Sequence, residues 1–203
     1  MTSDLRPRRS VLYMPAANER ALEKAKTIAA DAIIFDLEDA VAPDAKPAAR
    51  ANAVAAVNSG RYGRRELTIR CNGLDTPWGA ADIAAAATSG AAAVVIPKVG
   101  SVAYVNQVSA ALDAAGAPAS MNIWAMIETP LAIFNILSIA AAARDSESRL
   151  AGFVMGTNDL VKDMRARHTP MRLPMVTALG LGMLAARAHG LTILDGVYND
   201  IQD

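Results

Sequence analysis

"AIIFDLEDAV", residues 32–41, drives four apolar residues, Ala32, Ile33, Ile34 and Phe35, straight into Asp36, Glu38 and Asp39. An unbroken apolar run reads as a strand covered on both faces, as in a parallel sheet. Three carboxylates within four positions repel one another and hold protons more tightly unless a cation or hydrogen-bond donors meet them. The strand therefore delivers acids to a place where something positive is expected.

The same pattern recurs along the chain. "SVLYM" (10–14), "ELTIRCN" (66–72), "AAVVIPKV" (92–99), "NIWAMIET" (122–129), "AGFVMG" (151–156) and "LTILDGVY" (191–198) all read as strands. Between them lie segments of helical period. "NERALEKAKTIAA" has Asn18 as N-cap, and "PLAIFNILSIAAAAR" has Pro130 in its first turn. "KPAARANAVAAV", a helix from about Trp78 to Ala87, and "SVAYVNQVSAALDAA" are three more. A longer loop follows the sixth strand, before the helix "MVTALGLGMLAARAH". Seven strands at a spacing of about 30 residues match the βαβ step, and such alternation implies a parallel α/β sheet.

Two architectures fit this order, a doubly wound open sheet and a (β/α)8 barrel. No GxGxxG follows the first strand, which disfavours a dinucleotide unit. The polar residues favour the barrel. Asp36 and Glu38, Arg70 and Asn72, Lys98, Glu128, Asn158 and Asp159, and Asp195 stand at or just after successive strand ends. A closed barrel gathers such ends at one face, where its active sites lie, whereas an open sheet scatters most of them away from its switch point. We read residues 1–203 as a single TIM-type (β/α) barrel domain, truncated after the seventh strand.

Composition bounds the function. Hydrophobic residues make up 53% and aromatics 4%, so the core is built from Ala, Val, Leu, Ile and Met. Twenty basic and twenty acidic residues cancel, which gives no reason to expect nucleic acid. Cys71 is the single cysteine, so an internal disulfide framework and a CxxC zinc site are excluded. "MTSDLRPRRS" lacks the apolar core of a signal peptide. The longest apolar stretch, "LAIFNILSIAAAA", is shorter than the roughly 20 residues of a membrane span. The expectation is a soluble, cytoplasmic protein without a membrane partner.

Glu128 and Asp159 follow consecutive strands. Two carboxylates so placed, completed by water and ligand oxygens, suit Mg2+; the competing reading makes each a helix cap. Arg70 ends "LTIR", where a guanidinium can hold a carboxylate bidentately or pair with Asp36 and Glu38. The two roles combine if the acids orient Arg70 and Arg70 orients substrate. Lys98 can meet a phosphate or the acids, or be an ordinary surface lysine. Asp39 reads as a loop cap, and Asp195 as a turn residue before Gly196 or, second, as a catalytic acid or base. Neither His168 nor His189 stands at a strand end.

"RSVLYMPAANERALEKA", "AIIFDLEDAV", "IRCNGLDTPWG", "VVIPKV", "MIETP", "GTNDL" and "AARAHGLTILDGVYND" resemble, in order and spacing, the citrate lyase β-subunit-like branch of the HpcH/HpaI aldolase superfamily. The resemblance implies a TIM barrel, trimeric or hexameric, with Mg2+-dependent carbon–carbon bond cleavage or formation on acyl thioesters. Glu128 and Asp159 match the family's metal ligands, Arg70 its substrate-binding arginine and Glu38 the acid beside it; Asp36, on our own reading of the strand, joins this catalytic group by orienting Arg70. Asn18, Arg20 and Lys24 fall where the family's first loop approaches coenzyme A. The resemblance also implies an eighth strand and a C-terminal helical segment, carrying an acid–base aspartate, which this sequence lacks.

The expected reaction splits a 3-hydroxyacyl-CoA such as malyl-CoA or citramalyl-CoA, or a citryl thioester, into acetyl-CoA and a 2-oxo acid, or joins them. An acyl carrier protein or a larger lyase complex is a further possible partner. Two rivals are a class II pyruvate aldolase acting on free 2-oxo acids, disfavoured because no histidine precedes His168, and a non-catalytic thioester- or metal-binding subunit.

Overall fold

The computed structural model describes residues 6–200. They divide into two compact units, one running up to Val95 and including Ala111–Met121, the other made of Ile96–Ala110 and the residues from Asn122 on. In the first unit β1 (Val11–Pro15), β2 (Ala32–Asp36), β3 (Glu66–Arg70) and all but the last residue of β4 (Ala93–Ile96) stand in chain order. All their pairings are parallel, and the register sets Asp36 beside Arg70. Ala32, Ile33, Ile34 and Phe35 are fully buried, as the unbroken apolar run demands. Helix α1 (Glu19–Ala25) follows β1, α2 (Lys46–Asn58) follows β2 and α3 (Gly79–Ala87) follows β3. The buried face of α2 carries Ala49, Ala53 and Ala56 at helical spacing, small enough for close approach to the sheet.

After β4 comes α4 (Val102–Ala114). The second unit holds β5 (Asn122–Ile127), β6 (Leu150–Met155) and β7 (Thr192–Leu194), again in chain order and parallel. Its helices are α5 (Pro130–Phe134), α6 (Ile136–Ala141), α7 (Thr157–Asp163) and α8 (Val176–Ala188). Seven parallel strands alternating with helices, with no reversal of order in either unit, give α/β winding of the barrel kind rather than the doubly wound kind. There is no eighth strand among the described residues.

Four elements differ from the sequence reading. Helix α1 ends at Ala25 rather than Ala30, where the Thr27 hydroxyl and amide both bond back to the Lys24 carbonyl; such local bonds compete with helix continuation. The segment after Pro130 is two helices parted at Asn135, whose side-chain amide donates to the Gly100 carbonyl at 2.8 Å. The stretch after β6 is not all loop: "TNDLVKD" forms α7 because Thr157, Leu160 and Val161 turn inward. Strand β7 spans three residues, not eight. No helix among the described residues is long and apolar enough to cross a membrane.

Candidate active site

Each unit places polar groups at its strand ends. In the first, the parallel register brings Asp36 beside Arg70. Arg70 Nε and Nη2 donate to the two carboxylate oxygens of Asp36, both at 2.6 Å. The same oxygens accept the backbone N–H groups of Glu38 (2.9 Å) and Ala40 (3.2 Å). Arg70 Nη1 lies 3.0 Å from Glu38 and 3.4 Å from Asp39, and the guanidinium stands over the Tyr13 ring at 5.1 Å. Asp39 is therefore a partner of the arginine rather than a simple loop cap. Asp36 and Arg70 are both buried, at 1% and 7% exposure.

These contacts set the protonation states. Burial pulls the Arg70 guanidinium down, but the bonds from Asp36 and the charges of Asp36 and Glu38 outweigh it, so the group is held protonated beyond its usual range. For Glu38, burial and the neighbouring Asp39 and Asp36 carboxylates outweigh the attraction of Arg70, and its carboxyl lies above the ordinary value. A fixed cation thus sits beside an acid that keeps its proton to higher pH than usual.

A second set of residues supports this loop from below. Lys46, 5% exposed, donates to the carbonyls of Leu37 and Glu38 and to Asn72 Oδ1, at 2.8–2.9 Å. Its ammonium lies 5.0 Å from the centre of the Trp78 ring. Asn72 in turn meets the fully buried Asp82, which pairs with Arg50 at 2.6 Å. The sequence reading passed over Lys46, Arg50 and Asp82. Their one signal was a charge within otherwise Ala-rich helices, Lys46 and Arg50 on α2 and Asp82 on α3.

In the second unit, Lys98 links the two expected metal ligands. Its backbone N–H donates to Glu128 Oε1 at 2.7 Å, and its ammonium is 4.0 Å from Asp159 Oδ2. Lys98 adopts a left-handed backbone, φ 53°, a conformation that costs a non-glycine residue about 1–2 kcal/mol and that concentrates at functional sites. Glu128 is 3% exposed. Gly156 makes room for it: a Cβ at that position would stand 2.3 Å from the Glu128 Cβ and 2.5 Å from Oε2.

The helix-cap alternatives are not what the structure shows. Thr129 caps α5, accepting from the Ala132 N–H at 3.1 Å, and Gly156 stands at the α7 N-cap, with Asp159 in the first turn. Neither acid is the cap of the helix that follows it. Among the described residues no group of three or more His, Cys, Asp or Glu forms a metal cluster. Mg2+ does not need such a group, since it takes one or two carboxylates and fills its octahedron with water and substrate oxygens.

Asn18 caps α1, accepting from the Ala21 N–H at 3.1 Å, and Arg20 and Lys24 are exposed on that helix. Four residues apart, the two cations share a face. Asp195 pairs with Arg172 at 2.7 Å and also accepts from the Gly196 N–H, as a turn residue does. His168 is exposed and His189 is the C-cap of α8. Cys71 is fully buried, and burial pushes its thiol up.

An α/β chain wound as a barrel, with acids at successive strand ends, is the framework of the HpcH/HpaI aldolase/citrate lyase family; this chain belongs to that family, whose model matches residues 9–203. It is 50% identical over 203 residues to the (3S)-malyl-CoA thioesterase of Cereibacter sphaeroides (strain ATCC 17025), covering the whole of this chain and 67% of that protein. It is 32% identical to the L-malyl-CoA/beta-methylmalyl-CoA lyase of C. sphaeroides (strain ATCC 17029), covering 98% of this chain and 69% of that one. The chain thus spans about two thirds of the length of these relatives. Among solved structures it resembles the protein CitE of Mycobacterium tuberculosis in complex with magnesium, acetoacetate and coenzyme A, with a TM-score of 0.75 and 27% identity over 97% of this chain and 69% of that one.

Proposed function

We propose that this chain acts on a malyl-type CoA thioester, with Mg2+ held by Glu128 and Asp159. The observation that carries the reading is the pair itself: a buried glutamate, accommodated by Gly156 and oriented by the Lys98 N–H, and an aspartate within reach of the Lys98 ammonium. Bound there, the ion supplies Lewis-acid polarisation of the substrate oxygens. Arg70, held protonated, offers a fixed positive charge to a substrate carboxylate. Asp36 keeps the arginine from swinging. Glu38, whose carboxyl retains its proton above the usual range, is the group suited to proton transfer. Lys98 neutralises part of the acidic charge and can meet a phosphate or carboxylate. Arg20 and Lys24 are offered to the phosphates of coenzyme A, with Asn18 fixing the helix that carries them.

Within this class, hydrolysis to malate and free CoA is the first reading, favoured by the 50% identical thioesterase. Cleavage between carbons, giving glyoxylate and acetyl-CoA, is the second, favoured by the malyl-CoA lyase relative. A class II pyruvate aldolase is less well supported, because neither His168 nor His189 stands at a strand end. The reading includes a cytoplasmic enzyme that assembles as a homotrimer or hexamer. In support of assembly, Leu131, Phe134 and Leu137 are exposed together on α5 and α6, as apolar surface awaiting a partner is.

The test is incubation of the chain with (3S)-malyl-CoA in Mg2+ or EDTA, following free thiol, malate, glyoxylate and acetyl-CoA, with Glu128→Gln beside the wild type. Mg2+-dependent turnover that the variant lacks is expected, and the products separate hydrolysis from carbon–carbon cleavage. A folded chain that binds Mg2+ without turnover would favour a non-catalytic subunit. Mg2+ binding that survives in Glu128→Gln would overturn the ligand assignment.

A further inference from the structure

The arginines of "RPRRS" (6–10) and "RYGRRE" (61–66) play no part in the proposed chemistry. The structure brings them together at the opposite ends of the strands. Arg9 precedes β1, Asp31 precedes β2, and Arg64 and Arg65 precede β3. With Arg6 they line a cleft of about 860 Å3, within the size range of small-ligand sites. Five-residue strands put it roughly 17 Å from the Asp36–Arg70 pair at their other ends.

The cleft is strongly unbalanced in charge. Four guanidinium groups line it against one carboxylate, Asp31, which Arg9 already takes at 2.8–2.9 Å through both guanidinium and backbone. Arg65 spends its donors on the carbonyls of Ile28 and Tyr62, which satisfies its hydrogen bonds without cancelling its charge. Arg6 donates to the Arg64 carbonyl, and its nearest acid among the described residues, Glu66 at 3.9 Å, belongs to Arg8 at 2.6 Å. Arg64 has no ion pair among the described residues and is exposed. Among the described residues, positive charge therefore outweighs negative at this end of the strands, four guanidinium groups to one carboxylate. The remaining lining, Pro7 and Ala30, offers no ring on which a base could stack.

We infer that this cleft binds a multiply charged phosphate chain, a second site apart from the strand-end acids. Guanidinium forks match phosphate oxygens in geometry as well as charge. The shared chemistry is that of inorganic triphosphate and of the phosphate chain of a nucleoside triphosphate.

The experiment is calorimetric titration of the full chain with sodium tripolyphosphate, ATP and AMP at rising sodium chloride. Arg6→Glu and Arg64→Glu are titrated beside the wild type, each checked for wild-type circular dichroism. The expected result is saturable binding of tripolyphosphate that weakens as salt rises, and by about tenfold or more in each variant. Arg167→Glu, a reversal of an exposed arginine outside the cleft, leaves it unchanged. Equal affinity for ATP and tripolyphosphate, with AMP much weaker, would show that the phosphate chain alone is read; tighter ATP would identify the nucleotide as the ligand. Absence of saturable binding, or binding indifferent to both charge reversals, would overturn the inference. None of these readouts uses Mg2+ or turnover, so the outcome is independent of the proposed enzymatic reaction.

Discussion

The acid clusters at the strand ends of the two units are made of the same residue types and are finished differently. Around Arg70 nearly everything is paired: Asp36 uses both oxygens on the guanidinium and on two backbone N–H groups, and Glu38 and Asp39 close the remaining side. Around Lys98 the pairing is looser. Glu128 takes a backbone N–H, Asp159 meets an ammonium at 4.0 Å, and the Lys98 side chain is 60% exposed. A saturated buried cluster fixes geometry, because moving any member strands a charge. A cluster with a partly exposed carboxylate, such as that of Asp159, lies open to a cation from solution. The difference separates a rigid positioning element from a binding element, although both begin as carboxylates after an apolar strand.

The sharpest way to break that contrast is to remove the cation of the saturated cluster. Arg70→Met should cost about 3–5 kcal/mol, because the Asp36 charge is left buried without its partner; urea unfolding measures it. A loss below 1 kcal/mol would mean that Asp36 is as loosely held as Asp159. In the second unit the largest effect is expected from Gly156→Ala. Its new methyl lands on the Glu128 side chain, so stability should fall by about 1–3 kcal/mol and Mg2+ affinity should fall with it, both readable in one thermal titration with and without Mg2+.

Lys98→Gly sharpens the comparison from the other side. It relieves a left-handed backbone and removes a weak, exposed ion pair, so stability should rise by about 1 kcal/mol. A decrease would show that the side chain, not only the N–H, holds the acids in place. The smallest effect concerns pH. The folded chain holds the Glu38 proton more tightly than the unfolded one does, so this group favours the fold fully below the ordinary value of 4.5. That contribution is lost as pH rises through the raised folded value. Glu38→Gln should flatten the dependence of the urea midpoint on pH above 4.5. An unchanged slope would mean that the carboxyl is not held up in the fold.

Much of the framework was legible because it rests on local pattern. Apolar runs of strand length, helical period between them and polar residues at each C-terminal end predict parallel β/α winding, and the seven strands are where those patterns lie. Asn18 and Pro130 marked helix starts because capping and proline geometry are local. The elements that were misread depend on contacts between distant residues. Helix α7 forms in a polar stretch because Leu160 and Val161 pack against Met175 and Ala178. Asn135 parts α5 from α6 by reaching the Gly100 carbonyl.

The same division runs through the functional groups. By itself the sequence determined which residue types stand at each strand end, because side-chain chemistry and strand length are written in the chain. Tertiary structure alone decided how they are used. The β2–β3 register put Asp36 opposite Arg70 and consumed the arginine's donors. The left-handed turn at Lys98 aimed an N–H at Glu128, and the bare Cα of Gly156 left room for that carboxylate. Lys46 reached its carbonyls from the start of the next helix. Partners 26 to 34 positions apart, as Lys46–Asn72, Lys98–Glu128 and Asp36–Arg70 are, are chosen by packing and register, which no local window of sequence contains.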